Sequence, residues 1–179
     1  MSDIMPDGIS LVGLDELGVA DEIAETGSSL EENAQIKASY VFKKFKMPVF
    51  ADDSGLLVHS LNGEPGVYSA RYAGPEKDDN KNMDLLLEKL RNLSDRSAEF
   101  QTVISFIDEA GNNHSFTGRI EGDIMNEKRG ANGFGYDPIF QPKGYDKTFA
   151  ELSTEVKNRI SHRAKAVQKL LEYLHQSNE

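Results

Sequence analysis

The stretch FADDSGLL, residues 50–57, places two adjacent carboxylates and a serine–glycine pair between apolar residues. Apolar runs flank it at 48–51 (PVFA) and 55–61 (GLLVHSL), and both are typical of β-strands. The pattern predicts two strands that approach each other at an acidic turn made by Asp52 and Asp53. Such carboxylates most often cap backbone amides or face water. The functional alternative is a magnesium site with a general base.

The composition indicates a single domain spanning residues 1–179. The chain is 38% hydrophobic and contains no cysteine, which excludes disulfides, thiolate metal sites and a cysteine nucleophile. No apolar run approaches the roughly 18 residues of a membrane helix. The N-terminus shows no signal peptide. We therefore expect a cytoplasmic protein with no membrane partner.

The charge argues against a nucleic acid polymer as partner. The formal net charge is −10, from 30 Asp and Glu against 20 Lys and Arg, whereas phosphate backbones are bound chiefly by basic surfaces. A small phosphorylated ligand remains compatible with this charge, since Mg²⁺ bridges carboxylates to phosphates.

Hydrophobic periodicity predicts a strand at 9–13 (ISLVG) and then a helix at 26–46. Ser28 and Glu31 have the spacing of a capping box at the start of this helix. Its expected buried face comprises Leu30, Ala34, Ala38, Val41 and Phe45.

Later segments predict further helices at 77–93 and 153–174, and two strands at 99–108 and 113–124 joined by a turn at 111–113. Because strands and helices interleave and at least one hairpin is present, we expect an α/β fold with α+β character and a mixed sheet. The expected inward residues of the two helices are Met83, Leu86, Leu87, Leu90 and Leu93, then Ile160, Ala164, Val167, Leu171 and Leu174.

Lys37 is a cation on the apolar face of the first long helix, between Leu30 and Val41. A lysine at such a position commonly extends to the surface. Alternatively, its ammonium binds a buried anion such as phosphate. Glu25, at the entrance to this helix, is a candidate metal ligand.

The segment RGANGFGYDPIF, residues 129–140, is a loop with three closely spaced glycines. Phe134 lies between two of them with little to bury it, so its ring is available to stack on a nucleobase. A glycine-rich loop alone is weak support for a site. Asp137 before Pro138 is also typical of an ordinary turn.

The segment KNRISHR, residues 157–163, concentrates donors near the start of the last helix. An exposed basic patch is the common explanation of such a run. Ser161, His162 and Arg163 together also supply the donors that recognition of a carbonyl-bearing base or of phosphates requires.

FADDSGL, LNGEPGVYSARYAG, RGANGFGYDPIF and KNRISHR, in this order, resemble the inosine/xanthosine triphosphate pyrophosphatase family, from about residue 9 to the end of the chain. The resemblance implies hydrolysis of dITP, ITP and XTP to the monophosphate and pyrophosphate with Mg²⁺. It also implies a homodimer whose subunit has an elongated mixed sheet, helices in two lobes, and a substrate cleft between them.

The resemblance also implies roles for individual residues. Asp53 matches the proton acceptor and a metal ligand, Glu25 matches a second metal-binding carboxylate, and Ser54 matches a substrate contact. The base-binding residues are matched by Phe134, Gly135, Tyr136 and Asp137, and the other nucleotide contacts by Lys157, His162 and Arg163.

The start of the chain departs from the family pattern. Family members begin with a strand and a Thr/Ser-x-Asn-x-x-Lys phosphate loop, whereas MSDIMPDG resembles only the end of the helix that follows. We therefore expect an N-terminally truncated form, through a misplaced start, a split gene or a short form, with weak nucleotide binding and slow hydrolysis. The alternative function is a catalytically impaired nucleotide-binding or dimerisation module. A pyrophosphatase for modified pyrimidines is disfavoured by the third and fourth motifs.

Overall fold

A computed structural model describes residues 8–19 and 23–177 of the chain. Four helices and four strands make up its regular structure, together with short 3₁₀ segments at His59–Leu61, Gly66–Arg71 and Asp137–Ile139. In chain order the elements are α1 (Leu30–Phe45), β1 (Val49–Val58), α2 (Asp79–Lys89), β2 (Ser97–Ile107), β3 (Asn113–Ile124), β4 (Phe140–Pro142), α3 (Thr154–Ile160) and α4 (His162–Ser177).

The strands form one sheet in the order β1-β2-β3-β4. The expected hairpin is confirmed, since Ile107 pairs with Asn113 across the β2–β3 turn. The expected mixed sheet is wrong for the described residues, because every pair of neighbouring strands in them is antiparallel. The two-lobed shape and the single-domain organisation stay predictions.

The expected acidic turn is also wrong, because β1 runs without a break from Val49 to Val58. Each residue of this strand has a partner in β2, including Asp52 opposite Ile104 and Asp53 opposite Val103. The ladder with β2 therefore outweighs the turn preference of the Asp-Ser-Gly sequence. Since side chains alternate along a strand, the two carboxylates lie on opposite faces of the sheet.

No strand forms at residues 9–13, contrary to the expectation. A strand needs a neighbour for its backbone N–H and C=O groups, and no described segment pairs with this one. The first seven residues of MSDIMPDG lie outside the described part of the chain.

Helix α1 begins at Leu30, because the cap is one residue later than expected. The Ser29 hydroxyl accepts a hydrogen bond from the Glu32 backbone N–H at 3.1 Å. The Glu32 carboxylate in turn accepts the Ser28 N–H at 2.6 Å. The buried residues are Leu30, Asn33, Ala34, Ala38 and Val41, and Phe45 is half-buried.

The expected helix over 77–93 is shorter at both ends. It starts after the N-cap Asp78, whose side chain accepts the Lys81 N–H, and it ends at Lys89. Met83, Leu86 and Leu90 are buried as expected. The side chain of Leu93 is exposed because it lies beyond the helix end.

The expected last helix is two helices, α3 and α4, separated at Ser161. This residue has extended backbone angles, φ −64° and ψ 155°, and its hydroxyl accepts the Ala164 N–H at 3.2 Å. Because of this break, the residues of α4 face directions that differ from those expected for one continuous helix. The buried residues of α4 are therefore Ala166, Val167 and Leu170, whereas Ala164, Leu171 and Leu174 are only half-buried.

The sheet lies between α1 and α4. On one face Val103 packs with Leu30 and Ala34 of α1. On the other face Ile104 and Phe106 pack with Ala166, Val167 and Leu170 of α4. The largest core cluster joins β1, β2, β3, α2 and the segments around β4. None of the described helices is long and apolar enough to cross a bilayer.

Gly118 on β3 permits the close approach of α4 to the sheet. A Cβ at this position would meet the His162 carbonyl oxygen at 2.0 Å and the Ala166 nitrogen at 2.5 Å. Both neighbours are backbone atoms, so a larger residue would force α4 away from β3.

Gly118→Ala is expected to lower the free energy of unfolding by about 1–3 kcal/mol, because the added methyl group overpacks the α4–β3 contact. Urea unfolding followed by far-UV circular dichroism measures the change. Ser115→Ala, at an exposed position of the same strand, is the control. Equal stabilities of the two variants would contradict the close contact.

Candidate functional site

Asp53 and α1 form a cluster of charged side chains on one face of β1. The Lys37 ammonium lies 3.1 Å from Asp53 Oδ1 and 2.8 Å from Glu25 Oε1, so it bridges the two carboxylates. Asn33, one turn earlier on α1, donates its amide to Asp53 Oδ2 at 3.2 Å. Arg71 approaches the other oxygen of Glu25 at 3.6 Å. We name these five residues the carboxylate–lysine cluster.

The two carboxylates of this cluster differ in acidity. Burial raises the pKa of Asp53 above its ordinary value, and the charge and hydrogen bond of Lys37 offset only part of this rise. Burial also raises the pKa of Glu25, but the interactions with Lys37 and Arg71 outweigh it, so the net pKa is below its ordinary value. Asp53 is therefore the better proton acceptor and Glu25 the more persistent anion.

The pKa of Lys37 itself is raised. Burial alone would lower it, but the hydrogen bonds and charges of Glu25 and Asp53 reverse the effect. Lys37 does not extend to free solvent, since its side chain is 18% exposed and held by both acids. Its ammonium thus contacts two carboxylates of the protein, and phosphate binding by Lys37 stays a prediction.

The donor set of the cluster fits Mg²⁺. No group of three or more Asp, Glu, His or Cys side chains in residues 8–19 and 23–177 is arranged to hold a metal ion. Magnesium nevertheless commonly takes only one or two carboxylates and completes its shell with water and phosphate oxygens. The position between Glu25 and Asp53 already accommodates a cation, the Lys37 ammonium.

The opposite face of β1 borders a cavity of about 450 Å³. Ser54 lines it and shares a hydrogen bond of 2.6 Å with Thr102 of β2. The candidate residues of RGANGFGYDPIF and KNRISHR all line the same cavity. They are Phe134, Gly135, Tyr136, Asp137, Lys157, Ser161, His162 and Arg163. Lys37, Glu25 and Asp53 belong instead to the other face.

The loop at the mouth of the cavity is held in place by Asp137. Its carboxylate accepts the Phe134 backbone N–H at 2.9 Å and also binds the Lys157 ammonium. Gly133 has φ +83°, and a Cβ there would lie 2.0 Å from Asp137 Oδ2, so only glycine fits. The Asp137 side chain is buried by these contacts, which a simple solvent-exposed turn would not provide.

Phe134 presents its ring to the cavity. The residue is 69% exposed, although the Lys157 ammonium lies 4.8 Å from the centre of its ring. Tyr136 behind it is buried and donates its hydroxyl to the Ser69 carbonyl at 2.8 Å. The loop thus combines an exposed aromatic surface with a fixed backbone, as stacking on a planar ligand requires.

His162 forms part of the cavity wall in its neutral form. Its ring stacks on Phe100 at 4.8 Å between ring centres, with an angle of 11° between the planes. Burial, together with the charges of Arg163 and Lys157, lowers the pKa of His162 to about 3. Its buried Nδ1 has no hydrogen-bond partner within the described chain, which a doubly protonated ring would require.

Arg163 links the cavity to Asp52, the first carboxylate of FADDSGLL. Its guanidinium donates to Asp52 Oδ2 at 2.9 Å. Asp52 is therefore separated from the carboxylate–lysine cluster and joined to the cavity, although it is adjacent to Asp53 in the chain.

Sequence reasoning assigned no role to several residues of the site. Asn33 was visible only as a polar residue at the edge of an apolar helix face, and Arg71 only as a member of the second motif. Phe100 lies within an ordinary hydrophobic strand pattern. Its place under His162 depends on the fold and has no signal in the sequence.

Comparison with known proteins identifies the family. A model described as "Ham1 family" matches residues 1–173. The chain belongs to the Ham1 family. A dITP/XTP pyrophosphatase of Flavobacterium johnsoniae is 50% identical over 171 residues, covering 96% of this chain and 88% of that protein. One of Christiangramia forsetii is likewise 50% identical, covering 96% of this chain and 90% of that protein.

Two solved Ham1 structures show the same fold. The Staphylococcus aureus Ham1 protein superposes with a TM-score of 0.90 at 48% identity, covering 93% of this chain and 86% of that one. A HAM1 protein from Coxiella burnetii gives a TM-score of 0.93 at 42% identity, covering 98% and 91%. The family resemblance stated from the motifs is thereby confirmed.

The expected N-terminal truncation is not borne out by these matches, since the two named curated relatives are covered over 88% and 90% of their length. These matches do not test the alternative of an impaired nucleotide-binding or dimerisation module, which stays a prediction.

His162→Asn is expected to make stability less dependent on pH. The folded pKa of about 3 lies below the ordinary 6.5, so between these values the unfolded chain binds more protons and the wild type loses stability as pH falls. Between about pH 7.5 and pH 5, titration of His162 should lower the free energy of unfolding of the wild type by at most about 2 kcal/mol, and the variant should lack this contribution. Urea unfolding at about pH 7.5 and pH 5 measures this.

The matched control for that measurement is His175→Asn, at an exposed position of the same helix. Parallel pH profiles for wild type and His162→Asn would show that His162 is not held neutral.

Proposed function

We propose that this chain hydrolyses dITP, ITP and XTP to the nucleoside monophosphate and pyrophosphate, and so removes deaminated purine nucleotides. The observation that carries the proposal is that side chains alternate between the two faces of β1, so that Asp53 lies in the carboxylate–lysine cluster and Ser54 lines the cavity. One substrate can thus have its base in the cavity and its phosphates beside the cluster. The activity printed for the two named curated relatives supports it.

The cavity suits a deaminated purine. Phe134 offers a ring for stacking, and Lys157, His162 and Arg163 line the same space. Hypoxanthine and xanthine carry a carbonyl oxygen where adenine carries an amino group. Since the arginine side chain has donors and no acceptor, Arg163 pairs with the carbonyl but leaves the amino group unsatisfied. A site that hydrogen-bonds one substrate group discriminates against an analogue lacking the matching atom far more strongly than apolar contact does.

Asp53 acts as the proton acceptor at the phosphate end. It removes a proton from the attacking water as the water oxygen bonds to the α-phosphorus, and the bond to the pyrophosphate leaving group breaks. Asn33 orients the carboxylate, since its amide donates to Oδ2. Lys37 balances negative charge that develops on the phosphoryl oxygens.

Mg²⁺ is the proposed cofactor. Glu25 and Asp53 would hold it, and the bound ion would neutralise charge on the phosphate oxygens. Glu25 is suited to this role because its pKa is lowered and it stays ionised. The proposed homodimer rests on the family resemblance alone, and the cytoplasmic setting stays a prediction.

Asp53→Asn is expected to lower kcat for pyrophosphate release from dITP by about 10²–10⁴-fold, because an amide cannot accept the proton. The assay is pyrophosphate release with dITP and Mg²⁺, on protein whose circular dichroism spectrum matches the wild type. Near wild-type turnover by this variant would remove Asp53 from the mechanism.

Asp52→Asn is the matched comparison, since it makes the same change one residue away on the opposite face. The substitution weakens the ion pair that holds the Arg163 guanidinium in place, so KM should rise while kcat stays within a fewfold of the wild type. An equal loss of kcat in both variants would contradict the division between the two faces.

Arg163→Ala is expected to reduce the preference for dITP over dATP, measured as the ratio of kcat/KM values, by at least about tenfold. The reason is that dITP loses a charge-assisted hydrogen bond that dATP never makes. An equal loss of kcat/KM for both substrates would assign Arg163 to the phosphates instead of the base.

A further inference from the structure

We propose that Arg71 binds the polyphosphate of the substrate and supplies a second cation beside Lys37. This inference rests on the function proposed above and deepens it. It gives a role to the second motif, LNGEPGVYSARYAG, which the base cavity and the proton acceptor leave unexplained. Arg71 is the last residue of the 3₁₀ segment Gly66–Arg71 within that motif.

The 3₁₀ segment lies along the free edge of β1. The Leu56 N–H donates to the Ser69 hydroxyl at 3.0 Å, and that hydroxyl donates to the Gly66 carbonyl at 2.6 Å. A bridge pairs Leu57 with Pro65 just before the segment. Ser69 and Ala70 line the base cavity, while the next residue, Arg71, reaches the carboxylate–lysine cluster.

The backbone on both sides of Arg71 is fixed by one buried side chain of α2. The Asn82 amide donates to the Ala70 carbonyl at 3.0 Å and accepts the Ala73 N–H at 2.7 Å. Asn82 is only 2% exposed. A surface arginine whose flanking backbone is held in this way is positioned for a ligand at low entropic cost.

The guanidinium itself is accessible and loosely paired. Its side chain is 33% exposed, and its distance of 3.6 Å to Glu25 Oε2 is longer than a good hydrogen bond. It also lies 5.4 Å from the centre of the exposed Tyr68 ring, within the range of a cation–π contact. Most of its donors are therefore available to another acceptor, and a planar guanidinium matches phosphate oxygens.

The charge balance of the cluster favours an anionic ligand near Arg71. Among the described residues, Lys37 and Arg71 are the cations within 4.0 Å of Glu25 or Asp53, so the four charges cancel. A divalent cation bound by the two acids leaves an excess positive charge there. A triphosphate supplies the matching negative charge.

The test compares Arg71→Ala and Arg71→Lys with the wild type. Arg119→Ala is the matched control, since Arg119 also faces a glutamate, Glu99 at 3.8 Å, but on β3 outside the site. Calorimetry measures affinity for inorganic tripolyphosphate with Mg²⁺ and for deoxyinosine, which has the base without phosphates. Pyrophosphate release gives KM for dITP and the Mg²⁺ concentration for half-maximal rate.

We expect Arg71→Ala to weaken tripolyphosphate binding and raise KM for dITP by about 10- to 100-fold, the loss of a hydrogen bond to a charged group. Deoxyinosine affinity and the Mg²⁺ requirement should not change. Arg71→Lys should recover part of the loss because lysine keeps the positive charge but lacks the planar, bidentate donor arrangement of the guanidinium. The control should match the wild type.

Three results would overturn the role of Arg71: unchanged tripolyphosphate affinity in Arg71→Ala, an equal loss of deoxyinosine binding, or full recovery of the rate at higher Mg²⁺. The last would mean that Arg71 acts only through Glu25. A wild type that binds tripolyphosphate through Arg71 but releases no pyrophosphate from dITP would refute the proposed function and leave this inference standing.

Discussion

The ladder between β1 and β2 is the constraint on which the whole site depends. It keeps β1 extended through Asp52 and Asp53, whose sequence context is typical of a turn. Once the strand is extended, alternation sends neighbouring side chains to opposite faces. Asp53 then meets α1, while Asp52 and Ser54 meet the side of the sheet covered by α4. A turn would have left both acids in one solvated group.

Close contacts at three glycines, together with the β1–β2 ladder, position the residues of the site. Gly118 lets α4 contact β3, Gly133 makes room for the Asp137 carboxylate, and a Cβ at Gly55 would lie 2.5 Å from the Gly66 carbonyl oxygen. Ser161 then breaks the last helix, so that Lys157 on α3 and His162 on α4 both line the cavity. On one straight helix these residues, five apart, would point about 140° away from each other.

The features predictable from the sequence were those carried by local periodicity. The helix faces around Ala34 and Leu86 and the β2–β3 hairpin follow from spacing and turn residues. The motifs also identified Asp53, Phe134 and His162 as candidates through their resemblance to a family. Neither the continuity of β1 nor the break at Ser161 was predicted. The continuity of β1 depends on its pairing with β2, which is distant in the chain. The break at Ser161 depends on the Ser161 hydroxyl capping α4, and no glycine or proline in the sequence marks the end of α3.

The site contacts of Asn33, Phe100 and Arg71 could not be read from the sequence for a related reason. Each belongs to an unremarkable local pattern, and its importance arises only when a second element packs beside it. Tertiary contacts between segments far apart in the chain leave no trace in the spacing of either segment.

The pairing of Asp52 with Arg163 has a consequence for how such an enzyme changes over time. On the function proposed above, base preference is governed from the α4 side of the sheet and hydrolysis from the α1 side, and the two sides are connected through a single peptide bond between Asp52 and Asp53. Substitutions that retune the choice of nucleotide can therefore accumulate on one surface without disturbing the proton acceptor on the other. A single strand thus gives the enzyme two independently adjustable properties.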